Sequence, residues 1–221
     1  MPNRKIAPSL MCGDLMNMER TVRELDAAGV DLYHLDVFDG YFVPNIQLGF
    51  DFIKQLRAIT STPLDVHMAA VHPENHIQTL ARLGVDMMSV HIEALADPRT
   101  TLASVRAAGM GVGVAISPET PVESLRPLFS QIDYVCFMTV PTGFAGQRFL
   151  PESYERMAKL RELIDASSYE IAIEADGNIG AYTIPGCIES GADWFVAGTS
   201  SVFAKGATLA ENVAAMRELL T

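Results

Sequence analysis

Two histidines and two aspartates lie at the ends of short runs in which polar and apolar residues alternate. They are His34 and Asp36 in DLYHLDVFDG (31–40), His67 in PLDVH (63–67) and Asp176 in EIAIEADG (170–177). Side chains alternate between the two faces of a strand, so the polar residues of each run share one face. Imidazole nitrogens and carboxylate oxygens suit Zn²⁺, Fe²⁺, Mn²⁺ or Co²⁺. The four residues therefore predict one divalent metal site, if their strands end at the same place.

Eight strand-like runs alternate with eight segments of helical periodicity, which is typical of βαβ units and a parallel sheet. The predicted strands are Lys5–Cys12, Asp31–Val37, Leu64–Met68, Met87–Glu93, Gly111–Ile116, Tyr134–Val140, Glu170–Ala175 and Trp194–Ala197. The predicted helices are Asp14–Ala28, Asp51–Ile59, Pro73–Leu83, Thr100–Ala108, Pro121–Phe129, Pro151–Ile164, Thr183–Ser190 and Thr208–Leu220. Eight units favour a closed (β/α)8 TIM barrel with a single domain, residues 1–221. An open doubly wound sheet is disfavoured, because no GxGxxG follows the first strand.

In such a barrel the active site lies at the carboxyl ends of the strands. Asp36 and Asp176 belong to the second and seventh strands, three steps apart in a ring of eight, so we expect them to approach a ligand from nearly opposite sides. That arrangement suits removal of a proton from one face of a carbon and its return to the other face, with a metal stabilising the enediolate between. The alternative is a hydrogen-bonded polar layer without metal, which is disfavoured because buried carboxylates are costly unless paired or metal-bound.

Three glycine-containing segments follow the last three predicted strands. They are Gly143, Phe144, Ala145 and Gly146 after the sixth strand, Gly177 and Asn178 after the seventh, and Gly198 and Thr199 after the eighth. Loops in this corner of a barrel commonly bind phosphate through backbone N–H groups and a helix N-terminus. Each glycine alone is more typical of a turn, but together they predict a phosphate site.

The composition of the chain disfavours some classes of binding partner. The net charge of −11 and an isoelectric point near 4.8 argue against nucleic acid and anionic membranes as partners. The three cysteines show no disulfide or zinc-site spacing, and no apolar run approaches the roughly 18 residues of a membrane span. We therefore expect a cytoplasmic enzyme with no leader segment.

Several of these strings together resemble the ribulose-phosphate 3-epimerase family over nearly the whole chain. They are APSL (7–10), HLDVFDGYFVPN (34–45), PLDVH (63–67), MTV (138–140), GFAGQRF (143–149), EADG (174–177) and VAGT (196–199). The resemblance implies a metal held by His34, Asp36, His67 and Asp176, with the two aspartates as acid and base. It also implies that Ser9, His67 and Met138 contact the substrate and that the three glycine segments hold its phosphate. The expected partner is a phosphorylated ketose, and we expect a homo-oligomer.

The departures from the family pattern concern the substrate. Phe38 stands where the family usually has Met, Met68 and Ala69 replace a Leu-Met pair, and Asn178 replaces a second Gly. The resemblance implies inversion at C3 of D-ribulose 5-phosphate to D-xylulose 5-phosphate. Strings such as SLMCGDL (9–15) look more like the allulose-6-phosphate branch of the family. Conversion of D-allulose 6-phosphate to D-fructose 6-phosphate therefore stays an alternative. The small Ala69 would make room for this longer substrate, whereas the bulky Phe38 would reduce that room.

Two other functions fit a barrel of this kind. A decarboxylase of the orotidine-phosphate type uses Asp-x-Lys-x-x-Asp, but the chain has no lysine in the matching segment 34–39. A non-catalytic sugar-phosphate-binding barrel would not need two opposed aspartates. Epimerisation remains the function that the residues favour.

Overall fold

Eight parallel strands form the centre of the fold in the computed structural model, which describes residues 4–221. The strands are β1 (Lys5–Pro8), β2 (Tyr33–Asp39), β3 (Ile46–Gln47), β4 (Leu64–Ala69), β5 (Met87–His91), β6 (Gly111–Ile116), β7 (Tyr134–Met138), β8 (Ala172–Ile179) and β9 (Trp194–Ala197), of which only the short β3 is antiparallel. The helices are α1 (Met18–Ala28), α2 (Phe50–Arg57), α3 (Ile77–Arg82), α4 (Pro98–Ala107), α5 (Ser153–Asp165), α6 (Ile184–Glu189) and α7 (Leu209–Leu219). Residues 1–3 lie outside this description, so the predicted domain start stays a prediction.

Hydrogen bonds connect the strands in the order β1-β9-β8-β7-β6-β5-β4-β2-β3. A parallel bridge between Ser9, just after β1, and His34 in β2 joins the first and the last of the eight parallel strands in this series and closes the barrel. The short β3 adds to the outer end of β2, where Phe38 pairs with Gln47. The predicted single-domain (β/α)8 barrel is confirmed.

Alternating residues divide each strand between the helices outside and the barrel interior. In β2, Tyr33, Leu35 and Val37 belong to the main apolar core, while His34 and Asp36 are buried on the other face. The helices cover the apolar face: α1 buries Val22 and contributes to the same core. Burying one large aliphatic side chain contributes about 1.5–3 kcal/mol, so this outer layer supplies the stability that lets polar groups occupy the interior.

Three predicted elements differ most from the structure. The predicted strand 5–12 ends at Pro8, and Leu10–Cys12 form a 3-10 helix. The predicted helix 121–129 is a 3-10 helix, Val122–Gln131, because a proline inside an α-helix clashes with the carbonyl four residues earlier and Pro127 lies within this segment. The predicted strand 170–175 was placed too early: β8 runs Ala172–Ile179 and continues through Gly177, with a register irregularity against β9 between Ala175 and Ile179. The strand therefore includes Asp176 rather than ending before it.

Two further observations concern membrane-spanning helices and the cysteines. Across residues 4–221, no helix has both the length and the apolar character needed to cross a membrane. The three cysteines, Cys12, Cys136 and Cys187, are all free thiols.

Candidate active site

The parallel register brings the four predicted ligands to one end of the barrel. Asp36 in β2 is the register partner of His67 in β4, and Asp36 Oδ1 lies 3.3 Å from His67 Nδ1. Asp176 Oδ2, from β8, lies 3.7 Å from the same nitrogen. His34 Nε2 lies 3.6 Å from each aspartate. Four side chains that are distant in sequence thus meet around two imidazole nitrogens.

These donors fit a divalent metal ion. His34 Nε2 is buried and has no hydrogen-bond partner among the described residues, which is an unusual state for a buried polar atom. Ligand atoms of His34, His67 and Asp176 lie within 4.8 Å of one another, and the thiol of Cys136 falls in the same cluster. Nitrogen and carboxylate oxygen suit Zn²⁺, Fe²⁺, Mn²⁺ or Co²⁺. Burial raises the pKa of the Cys136 thiol well above its usual value, so this thiol is protonated in the metal-free protein.

A polar layer beneath the cluster orients His34. Its Nδ1 lies 3.1 Å from Asp65 Oδ2 and 3.6 Å from Glu174 Oε1, and both carboxyl groups are fully buried. The hydroxyl of Tyr134 donates to the other oxygen of Asp65. Because a carboxylate only accepts, Nδ1 carries a proton, and Nε2 is the nitrogen that faces the two aspartates. Burial by itself lowers the pKa of His34, but the acidic groups around it, Asp36 first among them, outweigh burial and raise the pKa. Nε2 therefore holds a proton in the metal-free protein, and a bound metal ion would take the place of that proton.

The two candidate acid/base groups titrate in opposite directions. Burial acts to raise the pKa of Asp36, but the positive charge of His34 and the close approach of the His34 and His67 imidazoles bring it below its usual value. For Asp176, burial and the charge of Asp36 raise the pKa and outweigh the opposing histidines. Two carboxyl groups whose environments separate their pKa values are suited to the roles of base and acid.

Above the cluster opens a cavity with about 570 Å³ of empty space, part of it open to solvent. Asp36, His67 and Asp176 line its floor, whereas His34 lies below the surface. The other predicted residues that line it are Ser9, Met138, Gly143, Phe144, Ala145, Gly146, Gly177, Asn178, Gly198 and Thr199. Among the described lining residues there is no lysine or arginine. The donors available to an anion in this cavity are therefore backbone N–H groups and neutral side chains such as Thr199 and Ser200.

Ser9 lies between the floor and the wall of the cavity. Its hydroxyl donates to Asp36 Oδ2 at 2.6 Å. The bond leaves Asp36 Oδ1 directed toward the histidines. Ser9 thus holds the Asp36 carboxylate in one orientation.

Asn178 connects two of the glycine segments. It has a positive φ of 51°, a conformation that asparagine tolerates better than most residues. Its side-chain amide donates to Gln147 O at 2.8 Å, and its side-chain oxygen accepts from the hydroxyl of Ser200 at 2.5 Å. One side chain at the end of β8 therefore holds the loops after β7 and β9 together.

One detail of the expected anion site differs. Residues 199–203 form turns, and the next helix, α7, begins only at Leu209. The helix N-terminus expected in this corner of the barrel therefore does not follow Gly198 directly. The N–H groups of the turns remain.

Sequence reasoning missed part of the site. Asp65 is the hydrogen-bond partner of His34, and the inward position of Asp65 could have been read from its alternation with Leu64 and Val66. Cys136 has no such signal, because a buried cysteine in a strand is usually part of the apolar core. His91 was not missed in the same way, because it shares a strand face with Ser89 and Glu93, which predicts a hydrogen-bonded core position; the register of β4 and β5 shows that its partner is His67.

Comparison with known proteins agrees with this geometry. Residues 5–203 match the sequence model of the Ribulose-phosphate 3 epimerase family. The chain is 38% identical over 218 residues to the ribulose-phosphate 3-epimerase of Rhodobacter capsulatus, covering 96% of this chain and 94% of the relative. The Bacillus subtilis (strain 168) enzyme of that name is 34% identical, with 89% and 91% covered. The cytoplasmic isoform of Oryza sativa subsp. japonica is 36% identical, with 97% and 93% covered.

Solved structures agree on the fold alone. A mutant tryptophan synthase α-subunit from Pyrococcus furiosus superposes with a TM-score of 0.70 at 15% identity, covering 100% of this chain and 99% of that chain. Thiamine phosphate pyrophosphorylase from Pyrococcus furiosus gives 0.66 at 15% identity, covering 99% and 96%. The family match and the curated relatives go further than this shared architecture. The chain belongs to the ribulose-phosphate 3-epimerase family and is an epimerase, a type of isomerase.

Proposed function

We propose that the protein is a metal-dependent ketose-phosphate 3-epimerase that interconverts D-ribulose 5-phosphate and D-xylulose 5-phosphate. The observation that carries the proposal is the pair Asp36 and Asp176. Both carboxyl groups lie within 4 Å of His34 Nε2, at the floor of one cavity, with pKa values shifted in opposite directions. The names of the relatives in Rhodobacter capsulatus and Bacillus subtilis support the choice of substrate.

In this proposal His34, Asp36, His67 and Asp176 hold one divalent ion. A bound ion would supply Lewis-acid stabilisation of the negative charge that develops on the substrate oxygens. The unpartnered Nε2 of His34 supports this set. The choice among Zn²⁺, Fe²⁺, Mn²⁺ and Co²⁺ depends on loading experiments, because all four accept these ligands.

The aspartates carry the proton transfers. Asp36, the carboxylate with the lower pKa, takes the C3 proton, and the electrons of the broken C–H bond form the C2–C3 double bond of an enediolate. Asp176, the carboxylic acid with the higher pKa, then gives its proton to the opposite face of C3, and the C2 carbonyl forms again. The inverted product leaves Asp36 protonated and Asp176 ionised. Before the next forward turnover Asp36 releases its proton to solvent and Asp176 takes one up, whereas the reverse reaction begins directly from the state that the product leaves.

We assign the substrate phosphate to the loops at residues 143–146, 177–178 and 198–199. These loops line the cavity and offer turn N–H groups, and the Asn178 side chain braces them. Because basic side chains are absent from the described lining, the phosphate would be held by amide dipoles in a strongly acidic protein. That mode of binding is directional and needs rigid loops.

The cavity wall favours the pentulose over the hexulose. Phe38 and Ala69 are register partners on β2 and β4 and pack in one small apolar cluster. Phe38 lines the cavity, whereas Ala69 is buried and does not. The ring of Phe38 thus occupies the space beside Ala69. The small side chain of Ala69 therefore does not make the cavity longer. D-Allulose 6-phosphate, which is one carbon longer, remains the alternative substrate.

The roles of the two aspartates are tested by solvent-deuterium exchange at C3, beginning from each epimer separately. Asp36→Asn and Asp176→Asn should each lower the rate of net epimerisation by at least 10²-fold. Each variant should retain exchange only for the epimer whose C3–H faces the remaining aspartate. Metal content is measured in parallel, because both residues are proposed ligands. Net epimerisation by Asp176→Asn at the wild-type rate would refute the two-aspartate mechanism.

The substrate is tested by comparing kcat/KM for ribulose 5-phosphate and allulose 6-phosphate with Mn²⁺-, Fe²⁺- and Zn²⁺-loaded protein. We expect the pentulose to be preferred. A preference for the hexulose would make the alternative correct. Binding of both without turnover would favour the non-catalytic sugar-phosphate-binding barrel.

Two further predictions concern the setting of the protein. A cytoplasmic location is supported by the rice relative, which is named as the cytoplasmic isoform, and by the free cysteines. The homo-oligomer stays a prediction, and light scattering of the purified protein would test it.

A further inference from the structure

A line of hydrogen-bonded side chains leads away from the metal site behind His67. His67 Nδ1 faces Asp36, while His67 Nε2 lies 2.9 Å from His91 Nε2. His91, at the end of β5, is fully buried, and its Nδ1 lies 3.0 Å from Glu93 Oε2. Neither His91 nor Glu93 belongs to the ligand set proposed above.

The protons in this line can be assigned from the partners. Glu93 Oε1 accepts from the backbone N–H of Ser117 at 2.8 Å and from the hydroxyl of Thr120. Burial acts to raise the pKa of Glu93, but hydrogen bonds from His91, Thr120 and Ser117 lower it from 4.5 to about 2. The carboxylate is therefore ionised, and Glu93 Oε2 accepts from His91 Nδ1–H. A neutral His91 then has its lone pair on Nε2, so the short contact requires His67 to donate from Nε2–H. His67 is left with the lone pair on Nδ1.

We propose that Glu93 and His91 are positioning residues, which form a carboxylate–imidazole relay that holds His67 in the tautomer with the Nδ1 lone pair toward the metal. The inference rests on the proposed function, in which His67 is a ligand. A ligating histidine must present an unprotonated nitrogen, and the hydrogen bond on its other nitrogen decides which one that is. The relay supplies this second bond through two residues instead of one.

The geometry explains why such a relay is needed. His67 Nδ1 lies near two carboxylates, Asp36 at 3.3 Å and Asp176 at 3.7 Å, and both attract a proton to that nitrogen. A proton on Nδ1 would block coordination there. An acceptor at Nε2 opposes this by keeping a proton on the far side of the ring. His34 has the equivalent partner directly, in Asp65.

Glu93→Gln should reverse the direction of the relay. The backbone N–H of Ser117 needs an acceptor, so the amide oxygen takes the place of Oε1 and the NH2 group takes the place of Oε2. The NH2 group then donates to His91 Nδ1, and His91 carries its proton on Nε2. Two N–H groups would meet at the His67 contact unless His67 moved its proton to Nδ1. Either result weakens the coordination of the metal.

The matched control is Glu74→Gln. Glu74 Oε1 lies 3.3 Å from Nδ1 of His72, so the pair has the same His-x-Glu spacing, but both side chains are exposed. Affinity is measured by competition of the metal-free protein with a chromophoric chelator for Zn²⁺. We expect Glu93→Gln to bind Zn²⁺ about 10- to 100-fold more weakly and Glu74→Gln to bind like the wild type.

Nitrogen-15 NMR of the Zn²⁺-loaded protein gives a second readout, the protonated nitrogen of each histidine, which a purely structural role would not change. We expect His91 to be protonated at Nδ1 and His67 at Nε2, and Glu93→Gln to move the His91 proton to Nε2. A wild-type His91 protonated at Nε2, or a folded Glu93→Gln with unchanged affinity, overturns the relay alone. Failure of the wild type to bind Zn²⁺, Mn²⁺ or Fe²⁺ would instead overturn the metal-dependent function.

Discussion

Gly177 is the residue whose replacement should most sharply test the geometry at the end of β8. Its φ is +121°, and a Cβ there would lie 2.6 Å from Val140 Cγ2 and 2.8 Å from Thr139 Oγ1. The positive φ costs an alanine about 1–2 kcal/mol, and overpacking a tight site adds about 1–3 kcal/mol. We therefore expect Gly177→Ala to lower the free energy of unfolding by about 2–5 kcal/mol. Thr139 also donates from its backbone and hydroxyl to Asp176 O, so the clash would displace Asp176.

Gly146→Ala is the matched control for this change. Gly146 lies in the loop after β7 with φ +79°, and nothing lies within 4 Å of a Cβ built on it. It should therefore cost only the backbone strain, about 1–2 kcal/mol. Urea unfolding of both variants and of the wild type measures the difference, and kcat of the metal-loaded proteins reports on Asp176. Equal destabilisation by the two variants would show that the close contacts at Gly177 do not exist in solution.

Four further predictions follow from the site. Asp65→Asn should weaken Zn²⁺ binding about 10- to 100-fold in the chelator competition, because His34 loses the acceptor that orients it; unchanged binding would contradict this. Burial, aided by Asp65, raises the pKa of Glu174 from 4.5 to about 8. A raised folded-state pKa gives stability that is full below about pH 4.5 and lost as the pH rises to about 8, so the metal-free wild type should melt lower at pH 8 than at pH 5, and Glu174→Gln should lack that part of the loss. Asn178→Gly should raise KM about three- to tenfold with a smaller effect on kcat, since two hydrogen bonds that brace the phosphate loops disappear; a fall in kcat alone would argue against that role. Phe38→Ala should raise kcat/KM for allulose 6-phosphate relative to ribulose 5-phosphate, and an unchanged ratio would mean that Phe38 does not limit substrate length.

Much of the fold could be predicted because hydrophobic periodicity is a local property. Alternation in segments such as residues 33–37 and 64–68 reports which face of a strand meets the helices, and the eight repeats then favour closure. The predictions failed where a local signal was overridden. Pro127 changed a predicted α-helix to a 3-10 helix, and Gly177 was read as a strand end although β8 continues through it.

The chain alone therefore determined the barrel, the four residues at its mouth and the family to which they point, because residue type and alternation act over a few positions. Only the tertiary structure decided how these groups influence one another. Cross-strand register placed Asp65 behind His34 and His91 behind His67, and the crowding of buried charges separated the pKa values of Asp36 and Asp176. Hydrogen-bond direction and electrostatic coupling depend on distances between residues far apart in the chain, and those distances exist only once the barrel has closed.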